Sequence, residues 1–264
     1  MKAVISTANV AARVGKTSTA VHLAVELSSR GLRTLLVDAD PQARATQSFM
    51  KPGEVVHALS DVLLPRSRRL AERPAAVWDV FSPPGYTHLG VVAGDIGLAA
   101  FESSESARIT DLRARLGQVF DFYDLAIVDT PSSLALLTRA CLCAATHVIA
   151  PVSPGGQGEE GLRLIHEYLG GMPCGDDPPD LWVVCNRFDC RDHSSGRLYE
   201  RLKAQWGARV FDTIIHRDDQ IEACSEHVRP VAASASGSTA AKLYARLADE
   251  VLDRLGLTPV GQAT

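Results

Sequence analysis

Short apolar runs recur along the chain at 3–7, 34–38, 89–93, 125–129, 147–151, 181–185 and 210–214, each five residues long and rich in Val, Ile, Leu and Ala. Between them lie longer segments near 17–30, 108–120, 134–144, 158–170, 194–206 and 239–255, whose apolar positions recur every three to four residues. Runs apolar on every residue predict strands covered on both faces; the longer periodic segments predict the covering helices. Alternation of the two along most of the chain predicts an α/β fold, a doubly wound and mostly parallel sheet with helices on both faces, in one domain over 1–264. Two stretches break the alternation. Residues 65–87, with Pro65-Arg66-Ser67-Arg68-Arg69 and Pro83-Pro84-Gly85, read as a solvated loop, and Gly170-Gly171 to Pro178-Pro179 as a shorter acidic one.

In such a sheet, chemistry gathers where strands end and helices begin. Val14-Gly15-Lys16-Thr17-Ser18 stands between the first strand and the first helix, the second half of a phosphate-binding loop. Backbone N–H groups there cradle a polyphosphate, Lys16 neutralises its β and γ oxygens, and the Thr17 hydroxyl reaches Mg2+. The strict pattern G-x-x-x-x-G-K-[ST] fails, because Val10 occupies the first glycine position. Two further strands end in carboxylates: Thr34 to Val37 runs into Asp38-Ala39-Asp40-Pro41-Gln42, and Leu125 to Val128 into Asp129-Thr130-Pro131. Carboxylates so placed beside a phosphate loop serve Mg2+ and the attacking water.

These segments resemble the ParA/MinD family of deviant Walker P-loop ATPases. Residues 8–18 are similar to the family's A-N-x-K-G-G-V-G-K-T-T, residues 38–46 to D-x-D-P-Q-G-N-A-T, and residues 123–134 to Y-D-x-x-x-x-D-x-P-P-S-L. Pro151-Val152 with Glu160-Gly161-Leu162, Val210 to Ile215 and Tyr244 to Val251 follow the family's order to the end of the chain, pointing to the ParA/Soj partition branch. The resemblance implies ATP and Mg2+ as cofactors, slow ATP hydrolysis and an ATP-dependent homodimer. It also implies a ParB-like stimulating partner and non-specific DNA as the surface on which cargo is segregated. By resemblance, Asp40 orients the attacking water, with Lys16 and Asp129 completing the catalytic set. Thr17, Asp38 and Asp129 hold Mg2+, and Arg13, Val14, Gly15, Lys16, Thr17 and Ser18 hold phosphates. Asn186, placed directly after the strand 181–185, reads the adenine edge, or else is an ordinary turn residue; His216-Arg217 take the place of the family's Pro-Arg beside the base.

The chain departs from the pattern in the loop itself. Ala11 stands where the family carries the lysine that reaches the partner's nucleotide, and Ala12 and Arg13 replace two glycines. This leaves two alternatives to DNA partition, a nucleotide-binding scaffold with little turnover and a positioner of a non-DNA cargo. Arg13 either supplies the missing trans cation or is a solvated side chain.

Charge sets further bounds. With 27 Lys+Arg against 31 Asp+Glu the net charge is −4, unlike a dedicated DNA-binding domain. DNA contact therefore rests on the resemblance, with Arg187, Arg197 and Arg201 the candidate patch. Gly237-Ser238-Thr239-Ala240 lacks two cations of the family's Lys-Ser-Arg-Gly segment. The six cysteines form no C-x-x-C pair, which predicts reduced thiols rather than a zinc site. With no apolar stretch of membrane-spanning length and an N-terminus running straight into Ala3-Val4-Ile5, the expected location is cytoplasmic and nucleoid-associated, with no membrane partner.

Overall fold

Among the described residues, eight strands form one sheet. They are β1 (Ala3–Thr7), β2 (Thr34–Asp38), β3 (Val80–Phe81), β4 (Leu89–Val92), β5 (Leu125–Asp129), β6 (His147–Val152), β7 (Asp180–Phe188) and β8 (Val210–His216), in the order β3-β4-β2-β5-β1-β6-β7-β8. The structure is a computed structural model, and it describes residues 2–51, 53–64, 78–173, 177–189, 191–218, 230 and 237–258. Of the irregular stretch 65–87 only 78–87 fall within it, and Cys174, Cys190 and Cys224 lie outside the described residues.

All neighbouring strands run parallel except β3, which pairs antiparallel with β4. The helices are α1 (Lys16–Ser29), α2 (Arg44–Gln47), α3 (Leu59–Leu63), α4 (Ala99–Glu102), α5 (Asp111–Leu116), α6 (Leu136–Ala144), α7 (Gln157–Gly170), α8 (His193–Trp206) and α9 (Thr239–Leu255). Ile5, Leu36, Ile127, Ile149 and Val184 send their side chains to one face, where α1 and α9 cover them with Leu23, Leu27, Tyr244, Leu247 and Val251. Their strand neighbours face the other way. Leu35, Val37, Ala126 and Val128 meet Leu59, Leu112, Leu116 and Leu137, while Val148, Ala150 and Val183 meet Leu162, Ile165, Leu198 and Leu202. A strand buried on both faces has no solvated side to mark with polar residues, hence the continuous apolar runs.

Three expectations are corrected. The helix expected over 108–120 is helical only from Asp111 to Leu116, and turns follow at Gly117. The strand expected to stop at Cys185 continues to Phe188, so Asn186 lies within β7 rather than after it. β3 was not expected, because a two-residue edge strand shows no period.

Candidate functional site

The chain leaves β1 at the centre of the sheet, between β5 and β6, and passes to opposite sides of it for later strands. At such a switch the carboxyl ends of neighbouring strands diverge and leave a crevice. Parallel register lines up three polar residues there: Thr7 of β1 pairs with Asp129 of β5, which pairs with Asp38 of β2. Residues 8–15 loop over this row and end in α1. Gly15 caps the helix with φ +96°, a left-handed conformation that suits glycine, and a Cβ there would lie 1.9 Å from the Asn186 amide nitrogen.

Lys16, the first residue of α1, is buried and turns back under the loop. Its ammonium donates to the Ala11 carbonyl (2.8 Å) and to the Ser132 hydroxyl (2.7 Å). Burial pushes its pKa down to about 8, against the Asp129 and Asp40 carboxylates, which favour its charged form. Asp129 is wholly buried. Its Oδ1 accepts from Thr7 Oγ1 at 3.4 Å, the Thr17 hydroxyl lies in hydrogen-bonding reach, and its Oδ2 is buried with no partner. Burial and the neighbouring Asp38 hold its carboxyl well above the usual carboxylate range.

Asp38 is fully engaged. Oδ2 accepts from the Thr46 backbone and hydroxyl, both at 2.7 Å, and Oδ1 accepts from the Asp40 amide at 3.1 Å. Burial pushes its carboxyl up to about 6 in spite of these donors. The Thr46 hydroxyl in turn accepts from Gly94 N (2.8 Å), so residues 38–46 are folded around Asp38 and tied to the end of β4. Asp40, nearly buried, accepts from Gln42 N at 2.9 Å. Two crowded carboxyls with raised pKa values and an orphaned buried oxygen beside a hydroxyl are an oxygen donor set of the kind that suits a hard divalent cation.

The remaining expected residues divide. Arg13 is exposed and holds φ +60°, a left-handed backbone at a position where the family pattern has glycine; Ala43, at the glycine position of the second motif, does the same at φ +52°. Asn186 donates from Nδ2 to Val14 O (3.1 Å), and its Oδ1 accepts from Arg187 N (2.8 Å). His216 ends β8 with a buried, unpartnered Nδ1, and Arg217 N donates to Phe188 O at 2.9 Å, which places both beside the end of β7. The candidate DNA residues Arg187, Arg197 and Arg201 are exposed on β7 and α8, and Arg201 pairs with Glu159 of α7 at 2.5 Å.

Sequence reasoning left Asn9 without a role of its own. Asn9 is buried, donates to Pro151 O (2.9 Å) and Gly158 O (3.0 Å), and accepts from Ala11 N (2.9 Å), pinning the phosphate loop to the β6–α7 connection. Ser132, inside the third quoted motif, reaches Lys16 from the β5–α6 connection. Asn9 stands inside the quoted motif, but its partners are more than 140 residues away, and no local pattern reveals them.

Residues 2–172 match the family described as "AAA domain". The chain is 31% identical over 255 residues to the chromosome-partitioning ATPase Soj of Thermus thermophilus, covering 95% of this chain and 96% of that one. It belongs to the ParA/MinD family, in the ParA/Soj partition branch. Among solved structures, an ATP complex of a McdA variant from Cyanothece superposes with TM-score 0.81 at 19% identity, covering 98% of each chain. Cobyrinic acid a,c-diamide synthase from Mycobacterium smegmatis, with an ATP analogue and magnesium, superposes with TM-score 0.75 at 24% identity over 97% of this chain and 96% of that one. Both share the fold. Among the described residues, no helix is long and apolar enough to cross a membrane.

Proposed function

We propose that this protein is a partition ATPase of the ParA type, a nucleotide-switched homodimer that binds Mg-ATP, hydrolyses it slowly and positions DNA cargo on the nucleoid with a ParB-like partner. The observation that carries the reading is the juxtaposition at the sheet's carboxyl edge: a buried Lys16 ammonium under a helix N-terminus, facing the Asp129 carboxylate with its orphaned oxygen and the Thr17 hydroxyl. Val14 to Ser18 and Lys16 hold the phosphates. Mg2+, when bound, supplies charge neutralisation at the phosphate oxygens, and Thr17 and Asp129, backed by Asp38, are the residues that would hold it. Asp40 orients the attacking water. Asn186, already braced against Val14, keeps a second amide N–H for the base edge, beside His216 and Arg217. The partition role draws support from the similarity to the chromosome-partitioning ATPase of Thermus thermophilus.

Each acidic monomer offers a weak basic patch, Arg187, Arg197 and Arg201, which a dimer doubles. DNA co-sedimentation with ATP, ADP or no nucleotide tests this. Retention in ATP alone is expected, with log K falling about 0.9 per phosphate contact against log salt. Equal retention in all three states, or none in any, overturns the DNA role.

A second reading, a nucleotide-binding scaffold with little turnover, is favoured by Ala11, a methyl group where the family carries an ammonium. Steady-state turnover of the native chain separates the two, since a scaffold shows none above background. A trans cation is worth on the order of 10³-fold in phosphoryl transfer, so restoring lysine at 11 with glycine at 12 and 13 raises turnover if that position acts in trans.

A further inference from the structure

The alternation of faces breaks at the end of β7. Val184 packs toward α1 and α9, while Val183 and Cys185 pack toward α7 and α8, so a period of two would put Phe188 on the α1 side with Val184. Phe188 packs on the α8 side instead. The cause is Arg187, which holds φ +58° where the pairing of β7 with β8 slips between Asn186 and Phe188. A strand irregularity with a strained residue is kept where a side chain has to be re-aimed.

Phe188 is re-aimed into an open cleft of about 820 Å3 between α8 and the ends of β7 and β8, a volume in the range of small-molecule sites. Phe188, Tyr199 of α8 and Ile214 of β8 supply aromatic and aliphatic wall. His216, two residues after Ile214 and on the same face of β8, lines the cleft as well, and its Nδ1 is buried with no partner. A buried N–H without an acceptor is rarer than a buried lone pair without a donor, so the neutral ring carries its proton on Nε2, where it is a donor for the cleft. The charged groups at the rim are already engaged. Asp192 accepts from the Ser194 backbone and hydroxyl and lies near Arg197, Asp189 accepts from Arg191 N at 2.8 Å, and Arg201 pairs with Glu159. A ligand with a net charge would have to break one of these pairings or rely on Glu200, which is exposed.

We propose that this cleft is a second small-molecule site, for a neutral, planar aromatic compound whose rings lie against Phe188, Tyr199 and Ile214 and whose hydrogen-bond acceptor meets His216 Nε2. The cleft is separate from the nucleotide crevice, since Asn186 turns to Val14 O on the opposite face of β7. The inference therefore stands whether or not the nucleotide reading does.

Methyl NMR of the full chain labelled at isoleucine δ1 tests it, because Ile214 lines the cleft while Ile5, Ile127 and Ile149 lie in the core. The probe is coumarin, neutral and with a carbonyl acceptor; 2-naphthoate and N-methylquinolinium are its charged counterparts. Coumarin is expected to shift Ile214 saturably, with Kd of about 1 mM or below, in the presence of saturating Mg-ADP as in its absence, and more tightly than either charged probe. Tyr199→Ala, which removes a ring, and His216→Phe, which keeps a ring and removes the donor, are each expected to weaken coumarin about fivefold, with thermal melts as a check on folding. No shift at Ile214, shifts spread evenly over the isoleucines, or shifts abolished by Mg-ADP overturn the second site. A charged probe that binds as tightly as coumarin, or coumarin affinity unchanged in both variants, overturns the ligand class.

Discussion

Replacing Asn9 separates a structural pin from an ordinary loop residue. Its amide is 1% exposed and makes three bonds, two donated to Pro151 O and Gly158 O and one accepted from Ala11 N. The approach is close enough that a Cβ on Gly161 of α7 would lie 1.9 Å from Asn9 Oδ1. Asn9→Ala leaves two carbonyls and one amide without this partner in a dry site, at about 1 kcal/mol each, or about 3 kcal/mol in all. In a chain of this length that is a fall in Tm of about 6–12 °C. Asn9→Asp keeps the acceptor for Ala11 N and nearly the same shape, but turns a carboxylate oxygen toward two carbonyl oxygens, so its loss equals or exceeds that of alanine. Urea unfolding followed by circular dichroism measures both variants. Losses below about 1 kcal/mol, or an aspartate variant as stable as wild type, refute the pin.

Arg13→Gly and Ala43→Gly each stabilise the protein by roughly 0.5–1 kcal/mol, since relief of a left-handed residue outweighs the added freedom of the unfolded chain; a drop in the unfolding midpoint for either variant overturns the strain argument. His22 of α1 stacks on Tyr244 of α9 with centroids 4.2 Å apart and bonds the Ser18 carbonyl at 2.6 Å, and burial lowers its pKa from 6.5 to about 4. The unfolded chain then binds the extra proton between these values, so this contribution is complete above pH 6.5 and is lost as pH falls toward 4, by about 3 kcal/mol in all. Asp38, pushed up to about 6, acts in the opposite sense, so the test is the difference in stability slope between wild type and His22→Phe from pH 7 to 5; parallel slopes refute the assignment.

The backbone plan was legible because burial on both sheet faces writes itself as apolar runs, and α1, α7, α8 and α9 each begin within one residue of the expected position. α2, α3 and α4 were not, since helices of four or five residues complete too few turns to show a period. In the site, Lys16, Thr17, Asp38, Asp40 and Asp129 stood out because the phosphate loop and strand-end carboxylates are local in sequence. The pinning role of Asn9, the contact of Lys16 with Ser132 and the engagement of Asp38 by Thr46 did not, because each depends on how separate segments meet at the sheet edge. Asn186 was expected in a loop because the apolar run stops at Cys185, yet pairing with β8 carries the strand to Phe188.

The central claim is that Lys16 and the aspartates beside it form a site for Mg-ATP. Isothermal calorimetry of wild type and Lys16→Ala with ATP and Mg2+ tests it most directly. Removing a charge-assisted contact of about 1.5–3 kcal/mol predicts at least a tenfold loss of affinity in the variant, with its fold intact. Equal affinity in the two proteins, or no binding by the wild type, contradicts the account.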